Sequence, residues 1–257
     1  MPELPEAERA RAVVEREALG RRIAAVDDAD TWVCRPHAPG EIAAALVGSA
    51  LTTAERRGKA IRLQTDAGPA LGLHLGMAGR VVLVSDGASH RWDRFGLRFE
   101  DGATLALRDS RRLGRVVLEP DLEVLGPDAA DVGRTRFRAQ VGRGRAPIKA
   151  RIMDQRTIAG VGNLLADEAL WRSRLSPLRP AGSLGTDELD VLRREIRAAT
   201  RNAIRRGGVH TGDLVAHRRP DGRCPRCGTP LMRAAVGGRT TWWCPSCQGE
   251  PVDLPPA

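Results

Sequence analysis

Four cysteines near the C-terminus constrain the fold of this chain more than any other feature of its sequence. They form two C-x2-C pairs with 16 residues between the pairs, and they are Cys224, Cys227, Cys244 and Cys247. Four thiolates at this spacing can close a tetrahedral site with no open position, so we predict one structural Zn2+. A redox pair of dithiols is the alternative, but the βαβ pattern that usually surrounds one does not precede these cysteines.

The segment between the two cysteine pairs has the pattern of a β-hairpin. Gly237-Gly238 is a preferred sequence for a two-residue turn. A unit this small has little apolar core of its own, so it should fold around its metal. Arg239 directly follows the turn, where its guanidinium could bind a phosphate. An ordinary solvated arginine is the alternative.

The charge balance of the chain favours a polyanionic partner. Its 257 residues include 41 Lys and Arg against 32 Asp and Glu, which gives a net charge of +9. This excess fits a nucleic acid or an anionic membrane surface without choosing between them. Only Lys59 and Lys149 are lysines, and all other basic residues are arginines. Because lysine loses its proton more readily than arginine, both positions are candidates for a function.

The sequence gives no sign of a membrane span or a targeting segment. No run of 18 or more apolar residues could cross a bilayer. The N-terminus is acidic and is not followed by an apolar stretch, unlike a signal peptide. We therefore predict a cytoplasmic protein without a membrane partner.

Apolar periodicity divides the chain into an N-terminal helix, a strand-rich part and a helical part. Residues 3–19 should form a helix, because Leu4, Ala7, Ala10, Val14 and Ala18 share one face. Between 22 and 120, short apolar segments alternate with Gly, Asp and Pro, which predicts an antiparallel sandwich or barrel. Residues 120–144 are interpreted as a join between domains with a short helix.

The helical part is predicted over residues 147–206. Its clearest helix should begin with Thr186 as the N-cap and end at Gly207-Gly208. One apolar stripe runs along it, formed by Leu189, Leu192, Ile196, Ala199 and Ala203. Together these patterns indicate an α+β protein of more than one domain.

The N-terminal residues could carry amine chemistry. Removal of Met1 would leave Pro2 with a free secondary amine, and an α-amino group has a pKa of roughly 7.7–8.0. Such an amine can attack an aldehydic carbon and form an iminium ion, which is an electron sink for elimination. The carboxyl groups of Glu3 and Glu6 could transfer protons beside it. Proline and glutamate are also common where helices begin, so an ordinary helix start is the alternative.

Five segments, in order along the chain, together resemble the bacterial formamidopyrimidine-DNA glycosylase and endonuclease VIII family. They are Met1–Glu8 (MPELPEAE), His74–Gly79 (HLGMAG), Asp109–Gly114 (DSRRLG), Ile158–Asn163 (IAGVGN) and Thr240–Gln248 (TTWWCPSCQ). Each segment alone is a weak match, whereas the ordered set is specific and spans nearly the whole chain.

The resemblance implies an α+β multidomain fold and a partner. It predicts a catalytic, helix-led β-sandwich domain over residues 1–125, a linker over 126–145, a helix-two-turn-helix domain over 146–210 and a zinc-finger segment over 211–257. The partner would be double-stranded DNA with a damaged base or an abasic site, bound in a cleft between the domains with the damaged nucleotide flipped out. The protein would be a nucleoid-associated monomer.

The resemblance also implies an enzyme of base excision repair, a bifunctional DNA glycosylase and abasic-site lyase. Pro2 would attack C1′ of the damaged nucleotide, and Glu3 would protonate the sugar ring oxygen. The Schiff base would then drive β- and δ-elimination, nicking the strand on both sides of the lesion. The alternative is a non-catalytic protein that binds damaged or abasic DNA and keeps only the DNA clamp, meaning the residues that grip DNA, and the zinc finger.

Further residues gain roles from the same resemblance. Met77 would fill the gap left by the flipped base, and Arg111 would face the orphaned partner base. The Gly160–Gly162 turn would bring backbone N–H groups near a phosphate at Asn163. The residues implied to contact DNA are Lys59, His74, Met77, Arg111, Asn163 and Arg239, of which Lys59 and Arg239 also support catalysis. Glu6 and Glu168 would lie close to the reaction centre.

Three departures from the family pattern leave the damaged base open. Leu113 stands where a phenylalanine wedge is usual in formamidopyrimidine enzymes. Only 15 residues, 209–223, separate Gly208 from Cys224, and this shortening resembles the endonuclease VIII branch, which prefers oxidised pyrimidines. The chain also contains no tyrosine. Oxidised purines, oxidised pyrimidines and abasic sites alone all remain candidate substrates.

Overall fold

The computed structural model of the protein describes residues 2–85 and 88–249. The chain divides into two compact units, and the N-terminal segment contributes to both. The first unit contains Met1–Pro2 and Glu6–Glu123, and the second contains Glu3–Pro5 and Val124–Ala257.

The first unit is an antiparallel β-sandwich that follows helix α1, Leu4–Glu17. Its strands are β1 (Ile23–Asp27), β2 (Leu51–Arg57), β3 (Ala60–Thr65), β4 (Leu71–His74), β5 (Arg80–Val84), β6 (Asp93–Phe99), β7 (Thr104–Arg108) and β8 (Arg115–Leu118). They form two four-stranded sheets, in the orders β1-β6-β7-β5 and β2-β3-β4-β8. Alternate residues such as Ile61 and Leu63 point into a shared core with Leu97 and Leu105. The predicted sandwich is therefore confirmed.

A short helix in the first unit was not predicted. Helix α2, Glu41–Leu46, lies between β1 and β2. Its N-terminus is held by the buried carboxylate of Asp28, which accepts the backbone N–H groups of Gly40, Ile42 and Ala43 at 2.8, 3.0 and 3.1 Å. The residue that caps the helix comes 12 or more positions earlier, so no local pattern reveals it.

The second unit is helical and carries a C-terminal hairpin. Its helices are α3 (Arg134–Val141), α4 (Ile148–Met153), α5 (Asn163–Arg172), α6 (Thr186–Arg206) and α7 (Pro245–Gln248), and its strands are β9 (Met232–Val236) and β10 (Arg239–Trp243). Three 3-10 turns cover Ala181–Ser183, Val209–Thr211 and Val215–His217. The predicted hairpin is present, and Gly237 and Gly238 both have positive φ in its turn.

Helix α6 carries the predicted apolar stripe but not the predicted N-cap. All five stripe residues are buried in the core of the second unit. Thr186 is the first helical residue, whereas the N-cap is Gly185, whose backbone N–H donates to the Glu188 carboxylate at 2.9 Å. The prediction of Thr186 as N-cap was wrong because the side chain of Glu188 reaches back and satisfies this end of the helix. Among the described helices, none is both long and apolar enough to span a membrane.

Candidate active site and zinc centre

The carboxylate of Glu3 is held by three backbone N–H groups of the candidate site. Its side chain is fully buried in the second unit, at the N-terminus of α5. The backbone N–H groups of Gly162 and Leu165 donate to Oε2, both at 3.0 Å, and that of Leu164 donates to Oε1 at 2.8 Å. Three donors at the positive end of a helix stabilise the ionised carboxylate. Pro2, directly before it in the chain, is partly buried.

Gly162 is required for this arrangement. A Cβ atom on it would lie 2.2 Å from the carboxyl carbon of Glu3, so any other residue would displace the carboxylate. The predicted role of the 160–162 turn is corrected by the same contacts. The N–H of Gly162 donates to Glu3, and that of Gly160 donates to Oε1 of Gln155 at 2.9 Å. These N–H groups bind side chains of the chain itself and are not open to a phosphate.

In the first unit, the structure brings two of the predicted DNA-binding residues together. Lys59 lies in the turn between β2 and β3, and His74 ends β4, where it pairs with Ala60 across the sheet. Desolvation and the positive charges of Lys59 and Arg115 lower the pKa of His74. Nδ1 of His74 accepts the N–H of Gly76 at 3.1 Å, which favours the tautomer with its proton on Nε2. Lys59 and Arg115 thus bring two positive charges close to this end of the sheet.

The loops that carry Met77 and Arg111 are in direct contact. A Cβ atom on Gly76, which has φ +58°, would lie 2.3 Å from the carbonyl group of Leu113, so only glycine permits this approach. Met77 is partly buried, whereas Arg111 and Leu113 are exposed. The buried carboxylate of Asp109 shapes the second loop, because it accepts the N–H groups of Arg111, Leu113 and Gly114 at 2.9, 2.8 and 2.7 Å. Asp109 begins the DSRRLG segment, yet its role in holding this loop was not predicted.

The remaining predicted residues belong to the second unit. Asn163 is the first residue of α5, and Arg239 is exposed at the start of β10. Glu168 is only 4% exposed, and its Oε2 accepts the N–H of Leu214 at 2.8 Å. Burial raises the pKa of Glu168. Glu6 is partly buried in the first turn of α1 and belongs to the first unit, whereas Glu3 belongs to the second.

Sequence reasoning missed a buried ion-pair cluster in the second unit. Lys149 is fully buried, and its Nζ lies 2.7 Å from Oδ1 of Asp167 and 2.7 Å from Oγ1 of Thr241. Oδ2 of Asp167 accepts Nε of Arg218 at 2.8 Å and the N–H of Trp242 at 3.1 Å. Burial lowers the pKa of Lys149 and raises that of Asp167. The second lysine thus ties α4 and α5 to the hairpin, and its rarity was the only signal for it.

The four cysteines form a site that fits zinc. Their Sγ atoms all lie within 4.8 Å of one another, and none of the cysteines is in a disulfide. Three of the Sγ–Sγ distances are 3.4, 3.5 and 3.9 Å, close to the roughly 3.8 Å edge of a tetrahedron with Zn–S bonds of about 2.3 Å. The backbone N–H of Cys247 and the indole N–H of Trp171 donate to sulfur atoms, as thiolate ligands require. The predicted cofactor, one structural Zn2+, is confirmed.

Trp171 couples this zinc centre to helix α5. Its Nε1–H donates to Sγ of Cys224 at 3.3 Å, and its indole is 7% exposed. We expect Trp171→Phe to speed zinc release to a chelator by about tenfold, in the range measured for lost partners of metal ligands. Zinc release can be followed with a chromogenic chelator, with Trp92→Phe as the matched control. An unchanged release rate in Trp171→Phe would contradict this coupling.

The protein has the features of a zinc-finger nucleic-acid-binding protein. They are a helix-led β-sandwich, a helical unit and a four-cysteine hairpin with exposed arginines. Three family profiles match the chain in order. They are the formamidopyrimidine-DNA glycosylase N-terminal domain over residues 1–116, the H2TH domain of the same enzyme over 125–214 and a zinc finger found in FPG and IleRS over 222–249.

Curated and solved relatives agree with these profiles. The formamidopyrimidine-DNA glycosylase of Roseiflexus sp. is 36% identical over 275 aligned positions, covering 96% of this chain and all of the relative. The MutM (Fpg) structure from Thermus thermophilus is 34% identical with a TM-score of 0.83, covering 97% of this chain and 99% of that one. The Lactococcus lactis Fpg bound to DNA with an oxidised pyrimidine is 26% identical with a TM-score of 0.86, covering 97% and 100%.

The chain therefore belongs to the formamidopyrimidine-DNA glycosylase family. This membership confirms the predicted family and the predicted enzyme class, a DNA glycosylase of base excision repair that also cleaves abasic sites. The Roseiflexus alignment spans 275 positions, more than the 257 residues of this chain, so the relative has residues without a counterpart here.

Proposed function

We propose that Pro2 and Glu3 carry out the glycosylase and lyase reactions of this chain on double-stranded DNA with an oxidised base. The observation that supports this most strongly is the burial of the Glu3 carboxylate among three backbone N–H groups. A buried carboxylate next to the N-terminal amine in sequence suits proton transfer better than it suits a helix start. The observed contacts therefore favour the catalytic interpretation of these two residues.

The proposed chemistry begins with attack of the Pro2 amine on C1′ of the damaged nucleotide. Glu3 is held as a carboxylate by its N–H donors, so it has a free lone pair with which it first accepts the proton that the amine loses. It then donates this proton to the ring oxygen as the sugar opens, and the damaged base leaves with the N-glycosidic electron pair. The charged iminium withdraws electrons and acidifies the C2′ proton, whose loss expels the 3′ phosphate by β-elimination. Loss of the C4′ proton then expels the 5′ phosphate by δ-elimination.

We propose the DNA-contacting residues that the sequence predicts. We propose that Lys59 and His74 bind phosphate beside the lesion and that the touching Met77 and Arg111 loops occupy the void left by the flipped nucleotide. Asn163 and Arg239 would clamp phosphate from the second unit. The catalytic domain would cover residues 1–125, the linker 126–145, the helix-two-turn-helix domain 146–210 and the zinc-finger segment 211–257. With DNA as its substrate, the protein would work at the nucleoid.

We expect Arg239→Ala to weaken DNA binding and to reduce its salt dependence. Loss of one phosphate contact should reduce the magnitude of the negative slope of log K against log salt by about 1. Fluorescence anisotropy on a duplex with a stable abasic-site analogue, repeated at several salt concentrations, measures this slope. Arg223→Ala removes a charge from the same unit and is the matched control. An unchanged slope in Arg239→Ala would contradict the proposed phosphate contact of Arg239.

The segment after α6 bears on the choice of damaged base. It contains two 3-10 turns, and helix α5 holds it through the contacts of Leu214 with Glu168 and of Arg218 with Asp167. Leu214 is fully buried. A segment held in this way cannot fold down as a long loop over a purine, so we propose that oxidised pyrimidines are among the preferred substrates. Glu168 would act here as an anchor rather than as a proton donor.

Product analysis on lesion-bearing duplexes tests the proposed function. Duplexes with an oxidised pyrimidine, an oxidised purine or an abasic site should all be nicked, leaving phosphate on both ends of a one-nucleotide gap. Cleavage of the oxidised pyrimidine should be the faster of the two base excisions. Tight binding of the abasic duplex without any nicking would show a non-catalytic binder instead.

A further inference from the structure

A basic and aromatic surface lies beside the loop of the first unit that carries Arg111. It is formed by residues 30–35 and residues 111–115, two segments held side by side. The N–H of Val116 donates to the carbonyl of Val33 at 3.0 Å, and the Arg115 guanidinium donates to the carbonyl of Arg35 at 3.4 Å. The first of these segments has no role in the function described above.

Asp30 fixes the two segments to each other. Its carboxylate accepts Nε and Nη2 of Arg112 at 2.9 and 2.8 Å, and it also accepts the N–H of Trp32 at 3.1 Å. The Asp30 side chain is only 11% exposed, which strengthens these charge-assisted bonds. The turn that carries Trp32 is therefore rigidly placed next to Arg111, the predicted reader of the partner base.

Trp32 and Arg35 form a preorganised pair on this surface. The indole is 52% exposed, which is unusual for a large apolar side chain, and the Arg35 guanidinium lies 4.0 Å from the ring centre. The guanidinium also donates to the carbonyl of Trp32. Arg35 is partly exposed, and its guanidinium has further N–H donors with which it could bind a phosphate.

Two arginines of this surface, Arg35 and Arg115, have no carboxylate partner among the described residues, unlike Arg112. Within the described part of the chain, no carboxylate oxygen lies within 4.0 Å of the guanidinium of Arg35 or Arg115. Desolvation and the nearby charge of Arg35 lower the pKa of Arg115. Arg115 pairs with His74 across the sheet. Arg115 and Arg35 thus place two neighbouring positive charges on this surface, and an anion bound between them would relieve their repulsion.

We propose that Arg35 and Arg115 bind backbone phosphates of the duplex flanking the lesion and that Trp32 holds Arg35 in place. This proposal rests on the proposed function, since it extends the DNA surface that begins at Lys59 and Arg111. It adds a contact outside the lesion pocket, so it would contribute to affinity for the duplex and not to the chemical steps.

Salt-dependent binding tests the proposal without any catalysis. The probe is a duplex with a central tetrahydrofuran, which has no aldehydic carbon and cannot form a Schiff base. We expect Arg35→Gln to weaken binding by roughly fivefold at low salt and to lower the salt slope by about 1. Trp32→Ala should weaken binding similarly, whereas Trp32→Phe should restore most of the affinity because it keeps an aromatic face.

Arg21→Gln is the matched control, because it removes one positive charge from the first unit at a site away from Arg35. Arg21 lies at the Phe99 end of strand β6, where it pairs with Asp101 and contacts the Phe99 ring. Shortening the duplex one side at a time should cost the unmodified protein affinity on one flank only, and Arg35→Gln should be insensitive to that flank. Equal slopes for Arg35→Gln, Arg21→Gln and the unmodified protein would overturn the proposal. Borohydride trapping by the unmodified protein reports on the proposed function separately.

Discussion

Replacement of Pro2 by glycine is expected to reduce borohydride trapping on abasic-site DNA by on the order of tenfold to a hundredfold, equal to about 1.4–2.7 kcal/mol of activation free energy. The secondary amine of proline forms an iminium that stays charged, whereas the imine from a primary amine can lose its proton and its electron-withdrawing power. Single-turnover trapping, followed on a denaturing gel, measures the change. An N-terminal extension that turns Pro2 into an amide should abolish trapping.

The neighbouring proline offers a matched control for this substitution. Pro5 lies in the first turn of α1, and Pro5→Ala keeps the terminal amine intact. Trapping by Pro5→Ala should stay close to that of the unmodified protein. If Pro2→Gly and Pro5→Ala lowered trapping equally, the effect would come from the helix start and the Pro2 amine would not be the nucleophile.

Glu3→Gln is expected to slow excision of an oxidised base by about 10²–10⁴-fold, the usual contribution of a positioned proton donor. Cleavage of a preformed abasic site should be much less affected, because its sugar already reaches the open aldehyde in water. The substitution also sets an amide NH2 against three backbone donors, so we expect a stability loss of about 1–3 kcal/mol. Rates on lesion and abasic duplexes, compared at a temperature well below the midpoint of unfolding, separate these effects.

Glu15→Gln provides the comparison for this prediction. Glu15 is an exposed carboxylate on α1, the helix that directly follows Glu3, and it pairs with Arg11 at 3.0 Å. Its removal should leave both rates unchanged. Equal losses of base excision and abasic-site cleavage in Glu3→Gln would mean that Glu3 only supports the fold at the N-terminus of α5.

The parts of this protein that were predictable from sequence are those that local spacing determines. The C-x2-C spacing brings the two thiols of each pair together, and the Gly237-Gly238 turn closes the hairpin between the two pairs. The apolar stripes of α1 and α6 likewise depend on helical repeat alone. Each of these features needs no knowledge of distant residues, and each is present as predicted.

The features that were missed depend on partners far apart in the chain. The N–H groups at the start of α5 are bound by Glu3, about 160 positions earlier, so the turn at 160–162 could be mistaken for an open phosphate site. Helix α2 depends on Asp28, and the burial of Lys149 depends on Asp167. Charged pairs of this kind are tertiary contacts, which periodicity and propensity do not reveal.

The most direct test of the account is to find which atom of the protein joins the DNA. The unmodified protein should be trapped on abasic-site DNA with borohydride, digested with nuclease and trypsin, and analysed by mass spectrometry. Cleavage after Arg9 releases the N-terminal peptide, residues 2–9. We predict that this peptide carries the reduced sugar remnant on the nitrogen of Pro2. A remnant on Lys59 or Lys149, with an unmodified N-terminal peptide, would contradict the account.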